Sequence, residues 1–480
     1  MTAILLIVLT TSCYKKHINN EEPEESETPA VNSNQEVNDW ILENMKIYYL
    51  WNKQIPSTTD NTLYPDEYFE SLLYTEEDRF SWIQEDYVEL LNSLSGVNTE
   101  AGYDFILYLI DDSNIIGCIT YIKPATPAES AGLKRGDYFL KINGTQMTKS
   151  NYSSLIGQTS EPHTLGISIL SEGKITNDTK NISLQVIENY AENPILLDTV
   201  YTILGKNIGY FVYNFFARDN GDGSLAYEKE LNDIFAKFKS KQIDELIVDL
   251  RYNGGGAVIT TQSLASMISE QKTSNVFCYY QYNSLLHEYF YSQDADFNIL
   301  YFVKTIDSEN SGRVERIPVN SLSELSTVHF IVTGNSASAS ELLINGLSPY
   351  VNVVLVGETT YGKNVGSITI YEEDAEKQKT NKWGMQPIVV KMANADWFSD
   401  FGNGFTPDIE VSELDDGLVL KQLGDTNEVL LKTTLNRILG TETKSVTTKH
   451  IGSQAVSVGS AIDRTPVRRN MYITPKKIYK

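Results

Sequence analysis

One short segment of the chain has the residue types and the spacing that a nucleophilic serine needs. It is a run of small residues from Gly334 to Ser340, which ends at Glu341 and an apolar run that begins at Leu342. Such a run predicts a strand that turns sharply into a helix and leaves the hydroxyl of Ser338 at the bend. The spacing from Ser338 to Glu341 is also that of a capping box, which satisfies helix N–H groups without any catalysis. Taken alone, the segment favours the capping interpretation.

A serine hydroxyl is a weak nucleophile at neutral pH, so a catalytic serine needs a neighbouring base. The chain has five histidines, and none of them lies in a glycine-framed loop of the segment where strands and helices alternate. Lys363 does lie in such a loop, directly after Gly362 and downstream of the apolar run Val353–Val356. Because desolvation disfavours an ammonium group, burial there would lower the pKa of Lys363 and make it a base. Ser338 and Lys363 would then form a serine–lysine variant of the serine triad.

Backbone N–H groups close to this pair could stabilise the negative charge that develops on an attacked carbonyl. Ala339 begins the predicted helix, where unpaired N–H groups and the helix dipole favour an anion. A second donor would come from Gly254 or Gly255, in the glycine run that follows the buried strand Glu245–Leu250. A triple glycine is more often an ordinary loop, so this assignment depends on the serine turn.

The elements that would position these residues follow from the hydrophobic pattern. From Asn207 onward, strands alternate with helices, which indicates a layered α/β domain. Residues 102–187 have the pattern of short strands. Asp39–Pro56 has aromatic and apolar residues at helical spacing, which predicts a small helical unit. The residues after Gly440 are rich in Ser and Thr, and we expect them to be mobile.

Composition and charge exclude several classes of function. The chain has 480 residues, with 39 Lys and Arg, 63 Asp and Glu, and a formal net charge of −24. A chain this acidic lacks the basic clusters that neutralise phosphates, which argues against nucleic-acid binding. Its three cysteines form no CxxC pair, which argues against both a zinc site and a disulfide framework. The sequence therefore points to no metal and no cofactor.

The N-terminal residues predict export. The apolar run Ala3–Leu9 is too short to span a bilayer and has the length of a signal-peptide core. Small residues then lead directly to Cys13, an arrangement that resembles a bacterial lipoprotein signal. We expect a lipid anchor on Cys13 that holds the protein outside the cytoplasm in the bacterial cell envelope, either in the periplasm or exposed on the outer membrane. A secretory signal without lipidation is the alternative. No Lys or Arg precedes the apolar run, which fits a natural start further upstream.

Four parts of the chain, in a fixed order, together carry a family resemblance. They are Pro127–Gly144, Asp249–Gly256, Ser336–Glu341 followed by Val356–Lys363, and Gly402–Asp408. The first is similar to the core of a PDZ domain, and the others resemble signatures of the C-terminal processing peptidases, also called tail-specific proteases. The resemblance covers roughly residues 102–440. It implies a multidomain α/β and α+β chain in which a PDZ-like domain precedes a crotonase-like α/β catalytic core.

The resemblance also assigns roles to the candidate residues. It implies that Ser338 is the nucleophile, that Lys363 is the general base, and that Ala339 and one residue of Gly254–Gly256 donate N–H groups to the oxyanion. The implied activity is that of a serine endopeptidase with an acyl-enzyme intermediate. The implied substrates are proteins or peptides with accessible, largely apolar C-terminal tails. The PDZ-like domain would capture such a tail as an added strand at a sheet edge.

With this resemblance, the chain divides into six expected segments. They are a signal peptide at 1–12, a flexible acidic tether at 13–38, a helical N-terminal domain at 39–98, a PDZ-like domain at 99–190, the catalytic domain at 191–440 and a mobile C-terminal tail at 441–480. The tether is expected because its polar and acidic composition cannot form a core.

Two positions depart from the family pattern. Many members have a glutamine four residues after the lysine, whereas this chain has Ser367; either Ser367 or Glu341 would then orient Lys363. Asp104 lies in the PDZ carboxylate-binding loop, where glycine is common, and its charge would repel a free C-terminal carboxylate. These departures leave open a PDZ-containing binding or scaffold lipoprotein with impaired catalysis. An acyl-CoA enzyme is a third interpretation of a crotonase-like core, although the sequence provides no nucleotide site.

Overall fold

The structure is a computed structural model that describes residues 31–171, 174–310, 313–441, 456–464 and 469–474. Cys13, the predicted signal peptide and most of the predicted tether lie outside the described residues. Within the described ranges, no helix is both long and apolar enough to cross a membrane. These ranges form a small N-terminal unit, a PDZ-like domain and an α/β catalytic domain, which confirms the predicted fold class.

The N-terminal unit is mainly helical. Its elements are α1 (Val31–Tyr48), α2 (Pro65–Ser71), β1 (Trp82–Gln84) and α3 (Tyr87–Leu94). The prediction that the tether extends to residue 38 is wrong for its last residues, because α1 already begins at Val31. Val37 lies one helical turn before Ile41, so it faces the same buried core. The Asn38 amide also donates hydrogen bonds to the carbonyl oxygens of Asn61 (2.9 Å) and Leu63 (2.8 Å).

The PDZ-like domain is an antiparallel sheet with two short helices. Its elements are β2 (Val97–Glu100), β3 (Tyr103–Leu109), β4 (Ile115–Ile122), α4 (Pro127–Ser130), β5 (Tyr138–Ile142), β6 (Thr145–Gln146), α5 (Tyr152–Gly157), β7 (His163–Ser171), β8 (Lys174–Leu184) and β9 (Ile187–Ala191). The main strands pair in the order β3-β4-β5-β7-β8. Apolar side chains of β3, β5 and α5 form one core, which includes Phe105, Phe139 and Ile156.

The catalytic domain surrounds a six-stranded sheet. Its elements are β10 (Ile195–Ile203), β11 (Lys206–Tyr213), α6 (Ala226–Ser240), β12 (Glu245–Asp249), β13 (Gly256–Ala257), α7 (Val258–Ile268), β14 (Val276–Tyr282), α8 (Ser284–Gln293), β15 (Ile299–Tyr301), β16 (Thr305–Asn310), β17 (Arg313–Pro318), β18 (Thr327–Val332), α9 (Ala339–Leu347), β19 (Asn352–Gly357), β20 (Val365–Ser367), β21 (Ile370–Tyr371), β22 (Gly384–Gln386), β23 (Ile388–Ala393), β24 (Ile409–Glu410) and α10 (Val429–Leu439). The sheet order is β10-β11-β12-β18-β19-β24, and the pairs from β11 onward are parallel.

The two faces of this sheet are both covered. Side chains of α6, α7 and α9 pack on one face, and those of α10 pack on the other. Strands buried on both faces explain the nearly continuous apolar runs of β12 and β18. Because these neighbouring strands are parallel, their carboxyl ends meet at one edge of the sheet. The glycine run after β12 and the serine turn after β18 therefore lie side by side.

The C-terminal segment differs from the prediction of a mobile tail. Its described residues form β25 (Val456–Ser460), a 3-10 turn at Ala461–Arg464 and β26 (Met471–Tyr472). β25 pairs antiparallel with β3 of the PDZ-like domain, and β26 pairs in parallel with β13 and β20 of the catalytic domain. The prediction is wrong for these residues because two open strand edges supply main-chain hydrogen bonds that a polar composition does not reveal.

A cluster of buried charges joins the PDZ-like and catalytic domains. Arg251, at the end of β12, is fully buried and contacts Asp249 (2.7 Å), Glu413 (2.9 Å) and Glu428 (2.8 Å). Arg135 of the PDZ-like domain contacts the same Glu413 at 2.6 Å. Burial alone would raise the pKa of Glu413, but the two guanidinium groups hold it at about 2. Each charge is thus compensated without access to solvent.

Candidate active site

Ser338 occupies the sharp bend between β18 and α9. Its φ is +64°, a left-handed conformation that costs a residue with a Cβ about 1–3 kcal/mol. The residue is fully buried, and its Oγ has no hydrogen-bond partner in the described part of the chain. A buried hydroxyl without a partner on a strained turn is unfavourable for stability. It is the geometry expected of a group that is kept available for reaction.

Glu341 holds the serine turn and the lysine loop together. Its Oε2 accepts hydrogen bonds from the backbone N–H groups of Ser338 and Lys363, both at 2.8 Å. Its Oε1 accepts from the Gly362 N–H (2.7 Å) and the Thr360 hydroxyl (2.6 Å). Burial raises the pKa of Glu341, and these donors oppose that effect. Because two backbone nitrogens contact one oxygen atom, Ser338 and Lys363 are adjacent in space.

Glu341 therefore does more than the capping interpretation requires. Its contact with the Ser338 N–H is one half of a capping box. The other half is not made with hydrogen-bond geometry, since the Ser338 Oγ has no partner among the described residues. The two contacts to the lysine loop have no counterpart in an ordinary helix cap.

Lys363 has the environment of a neutral amine. Its side chain is almost fully buried, and burial lowers its pKa from 10.5 to about 7, although the negative charges of Asp78 and Glu341 act in the opposite direction. The Phe80 ring covers the amine, with Nζ 4.9 Å from the ring centroid. At neutral pH a substantial fraction of Lys363 is thus unprotonated and able to accept a proton.

The predicted oxyanion donors lie against the serine turn. A Cβ added to Gly255 would be 2.8 Å from the Ser338 Cβ and 3.1 Å from the Ala339 nitrogen. The Gly255 N–H donates to the Asn253 side chain (2.9 Å), which removes Gly255 as a donor in this state. The N–H groups of Gly254 and Ala339 donate to no group in the described ranges. Among the described residues, these two backbone N–H groups therefore remain without an acceptor.

Neither residue predicted to orient the amine contacts it. Ser367 Oγ is 2.6 Å from Gln386 Oε1 and 2.9 Å from Asn470 Oδ1, and Glu341 acts through backbone nitrogens. The Lys363 Nζ instead donates to the Arg469 carbonyl oxygen (2.9 Å) and to Asn470 Oδ1 (3.1 Å). The sequence analysis missed both Gln386 and Asn470. No local motif marks them, and Asn470 lies in the segment expected to be mobile.

The chain matches known proteins over each of these parts. Its matches to family models are Peptidase family S41 over residues 207–411, the Peptidase S41 N-terminal domain over 36–82 and a PDZ domain over 118–167. It is 23% identical over 325 residues to the carboxy-terminal processing protease CtpB of Bacillus subtilis, a match that covers 64% of this chain and 57% of that protein. It is 24% identical over 281 residues to CtpA of the same organism, covering 56% and 49%. The matches span about half the length of each relative.

A solved structure has a similar overall fold. It comes from Bacteroides fragilis and is assigned to the S41 proteases, with 26% sequence identity and a TM-score of 0.63. The similarity covers 84% of this chain and 98% of that one. The similarity of fold therefore extends over most of this chain.

Proposed function

Because the chain belongs to peptidase family S41, we propose that it is a serine peptidase in which Ser338 is the nucleophile and Lys363 is the general base. The observation that supports this most directly is the strained and unpartnered hydroxyl of Ser338, together with the buried amine of Lys363, whose pKa is lowered to about 7, on the loop that Glu341 ties to the serine turn. Glu341 fixes the backbones of both residues. Burial of the amine would serve no purpose in a surface that merely binds peptides.

In the proposed reaction, each of these groups has one role. Lys363 Nζ takes the proton of the Ser338 hydroxyl while Oγ attacks the carbonyl carbon of the scissile peptide bond. The carbonyl oxygen becomes an oxyanion that the N–H groups of Gly254 and Ala339 stabilise. Collapse of this intermediate breaks the C–N bond, and the Lys363 ammonium gives its proton to the leaving amine. Water then attacks the acyl-enzyme with Lys363 again as base, which releases the acid and restores Ser338.

One movement is required before the first step. The Ser338 Oγ has no hydrogen-bond partner among the described residues, so the bond between Oγ and Nζ must form as substrate binds. Catalytic hydrogen bonds commonly shorten in this way when a substrate excludes water.

Substrates are proposed to be unfolded proteins or peptides with apolar C-terminal tails. A cleft between the PDZ-like and catalytic domains could guide such a chain toward Ser338. Its walls include Tyr108 on one side and Tyr361 on the other, and it encloses about 380 Å³. An extended chain is needed because Ser338 itself is fully buried.

Hydrolysis of β-casein tests the proposed function, and the release of new amino termini measures its rate. Wild-type protein should cleave casein, and Ser338→Ala and Lys363→Ala should lower the rate at least about a thousandfold. Ser348→Ala is a matched control, since Ser348 is exposed at the far end of the same helix. Equal activity in wild type and Ser338→Ala would refute the proposal. Peptide binding without turnover in the wild type would favour the alternative of a scaffold protein with impaired catalysis.

The lipid anchor at Cys13 is a separate proposal, supported by the sequence pattern alone. Cells expressing the full-length protein should incorporate a fatty-acid label into it, and Cys13→Ala should abolish the label. Cys118 and Cys278 are buried and would stay unlabelled. Label that persists in Cys13→Ala would refute the anchor without affecting the peptidase proposal.

A further inference from the structure

The last described residues of the chain reach both functional parts of the molecule. β25 lies along the edge strand β3 of the PDZ-like domain, next to helix α5. Ten residues further on, Asn470 lies against Lys363. The segment that was expected to be a free tail therefore connects the peptide groove with the catalytic centre.

The contacts at β3 are those of a peptide bound in the PDZ groove. An added antiparallel strand on an open sheet edge is the general mode in which such domains hold peptides. Ser460 pairs with Ile106, and Ala461 follows it into the apolar core of the domain, where it is 5% exposed. The helix α5 and the strand β25 enclose the two sides of one cavity of about 410 Å³.

Charge complementarity explains why an internal segment suits this groove. Asp104, which would repel a free carboxylate, lies 3.8 Å from the Arg464 guanidinium. Arg464 also donates to Thr159 Oγ1 (2.9 Å) and stacks on the Phe105 ring, 5.1 Å from its centroid. At the place where a peptide C-terminus would carry a negative charge, the bound segment carries a positive one. The departure at Asp104 is thus matched by a partner in the same chain.

The contacts at the catalytic end fix Asn470 from both its backbone and its side chain. Its carbonyl oxygen accepts a hydrogen bond from the Gly256 N–H (2.6 Å), and Ile473 donates to the Ser367 carbonyl oxygen (3.0 Å). Its Nδ2 donates to Gln386 Oε1 at 3.1 Å, which defines which side of the amide faces Lys363. Asn470 is 1% exposed, so water does not compete for these contacts.

These contacts determine where the lone pair of the amine can lie. A neutral amine has two N–H groups and one lone pair. The Arg469 carbonyl and Asn470 Oδ1 accept the two N–H groups of Lys363. The lone pair is the site that remains, and a base must direct it at the hydroxyl proton of Ser338. The position four residues after the lysine, where Ser367 stands, does not supply this contact but supports the residue that does.

We propose that Asn470 is the positioning residue of the Lys363 base, and that the PDZ-like groove of the same chain binds residues 456–464 to deliver it. This inference rests on the proposed peptidase function. Alignment of the base then depends on what occupies the groove, since a peptide that displaces residues 456–464 also loosens the hold on Asn470.

A negative charge introduced at residue 470 tests the proposal that Asn470 positions the amine of Lys363. Asn470→Asp keeps the shape but places a carboxylate about 3 Å from the amine, which favours the ammonium and should raise the pKa of Lys363 by about one unit or more. The pKa is measured by NMR titration of the lysine Cε signal in a Ser338→Ala background, with Lys363→Met to assign the signal. Asn394→Asp is the matched control, because Asn394 is also a buried amide but contacts Asn345 at the other end of α9. An unchanged pKa in Asn470→Asp would overturn the positioning role.

The NMR measurement does not depend on turnover, so it separates this inference from the proposed function. If the wild type is active, Asn470→Ala should lower kcat about 10- to 100-fold with little change in KM, because a misplaced base slows chemistry rather than binding. Ser367→Gln in that background places an amide on β20 near Nζ and should restore part of the loss. A full kcat in Asn470→Ala would contradict the inference while leaving the peptidase proposal intact.

A fluorescent peptide with the sequence of residues 456–464 tests the proposal that the PDZ-like groove binds this segment of the chain. It should not bind the wild type, in which β25 already occupies the β3 edge, and it should bind Ala461→Trp, in which the larger side chain no longer fits the core. Ala461→Trp should also lose kcat to about the extent of Asn470→Ala. Equal binding of the peptide to both proteins would show that the groove is open. Binding to the variant with an unchanged kcat would show that the groove does not deliver Asn470.

Discussion

Replacing Lys363 with methionine should remove catalysis and at the same time stabilise the folded protein at mildly acidic pH. The pKa of Lys363 falls from 10.5 to about 7 on burial. At ~1.4 kcal/mol for each unit of pKa, holding the ammonium form in the folded protein costs about 5 kcal/mol below pH 7. Methionine has a similar length and no charge, so this cost disappears in Lys363→Met.

The sign and the pH range of the effect follow from proton binding. Because the folded pKa of Lys363 lies below the unfolded one, the unfolded chain binds more protons between pH 7 and 10.5. The stability of the wild type relative to Lys363→Met therefore rises with pH across that window. Lys363→Met should have the larger free energy of unfolding at about pH 6. Its advantage over the wild type should shrink by about 3 kcal/mol between about pH 6 and about pH 9. Lys363→Met also loses the two hydrogen bonds of Nζ, each worth about 1 kcal/mol. This loss lowers the stability that the variant gains by the same amount at both pH values.

Two assays check this prediction. Urea unfolding of wild type and Lys363→Met at the two pH values gives the difference in the free energy of unfolding. The pH profile of kcat/KM of the wild type should rise with an apparent pKa near 7, because only the unprotonated amine accepts the serine proton. A difference in stability that does not change with pH, or a profile that rises near pH 10, would refute the burial argument.

Three further changes have defined outcomes. Phe80→Ala exposes the amine of Lys363 to water, so the rise in kcat/KM should move to higher pH in a titration of activity; an unmoved profile would show that the ring does not control hydration. Gly255→Ala should lower activity at least about tenfold on casein, because a Cβ at φ +120° meets the Cβ of Ser338 at 2.8 Å; normal activity would show that the loop can move away. Arg251→Met leaves three buried carboxylates without their central partner and should cost about 3–5 kcal/mol in urea unfolding; a loss under about 1 kcal/mol would contradict a fully buried cluster.

The sequence was sufficient where a residue's position depends on nearby residues. Ser338 and Gly255 follow buried parallel strands, and the edge where such strands end can be inferred from apolar runs and glycines alone. The expectation that Lys363 is buried also came from its local surroundings, and its lowered pKa agrees with that expectation. In each case the signal lay within about ten residues of the group that it positions.

The sequence was insufficient where distant segments meet. Asn470 reaches Lys363 across a separation of 107 residues, and neither residue carries a sign of the other. The alternation of Val456 and Val458 is too short to distinguish a strand from a polar tail. Helix α1 likewise begins earlier than expected, and Val37 in this early part shares a core with Tyr68 and Trp383, which are distant in the sequence. Such contacts depend on the folded arrangement and not on a local pattern.

The charge cluster that Arg135 shares with Glu413 has a practical consequence for work with fragments. In an excised PDZ-like domain, the guanidinium group of Arg135 would lose its carboxylate partner Glu413. The surface around Arg135, which is buried in the whole protein, would be exposed to solvent. In the remaining catalytic fragment, Glu413 would keep its ion pair with Arg251 but lose the one with Arg135. Neither isolated fragment would therefore reproduce the buried charge pairs of the whole protein. Heating the whole protein should accordingly melt both domains in a single calorimetric peak.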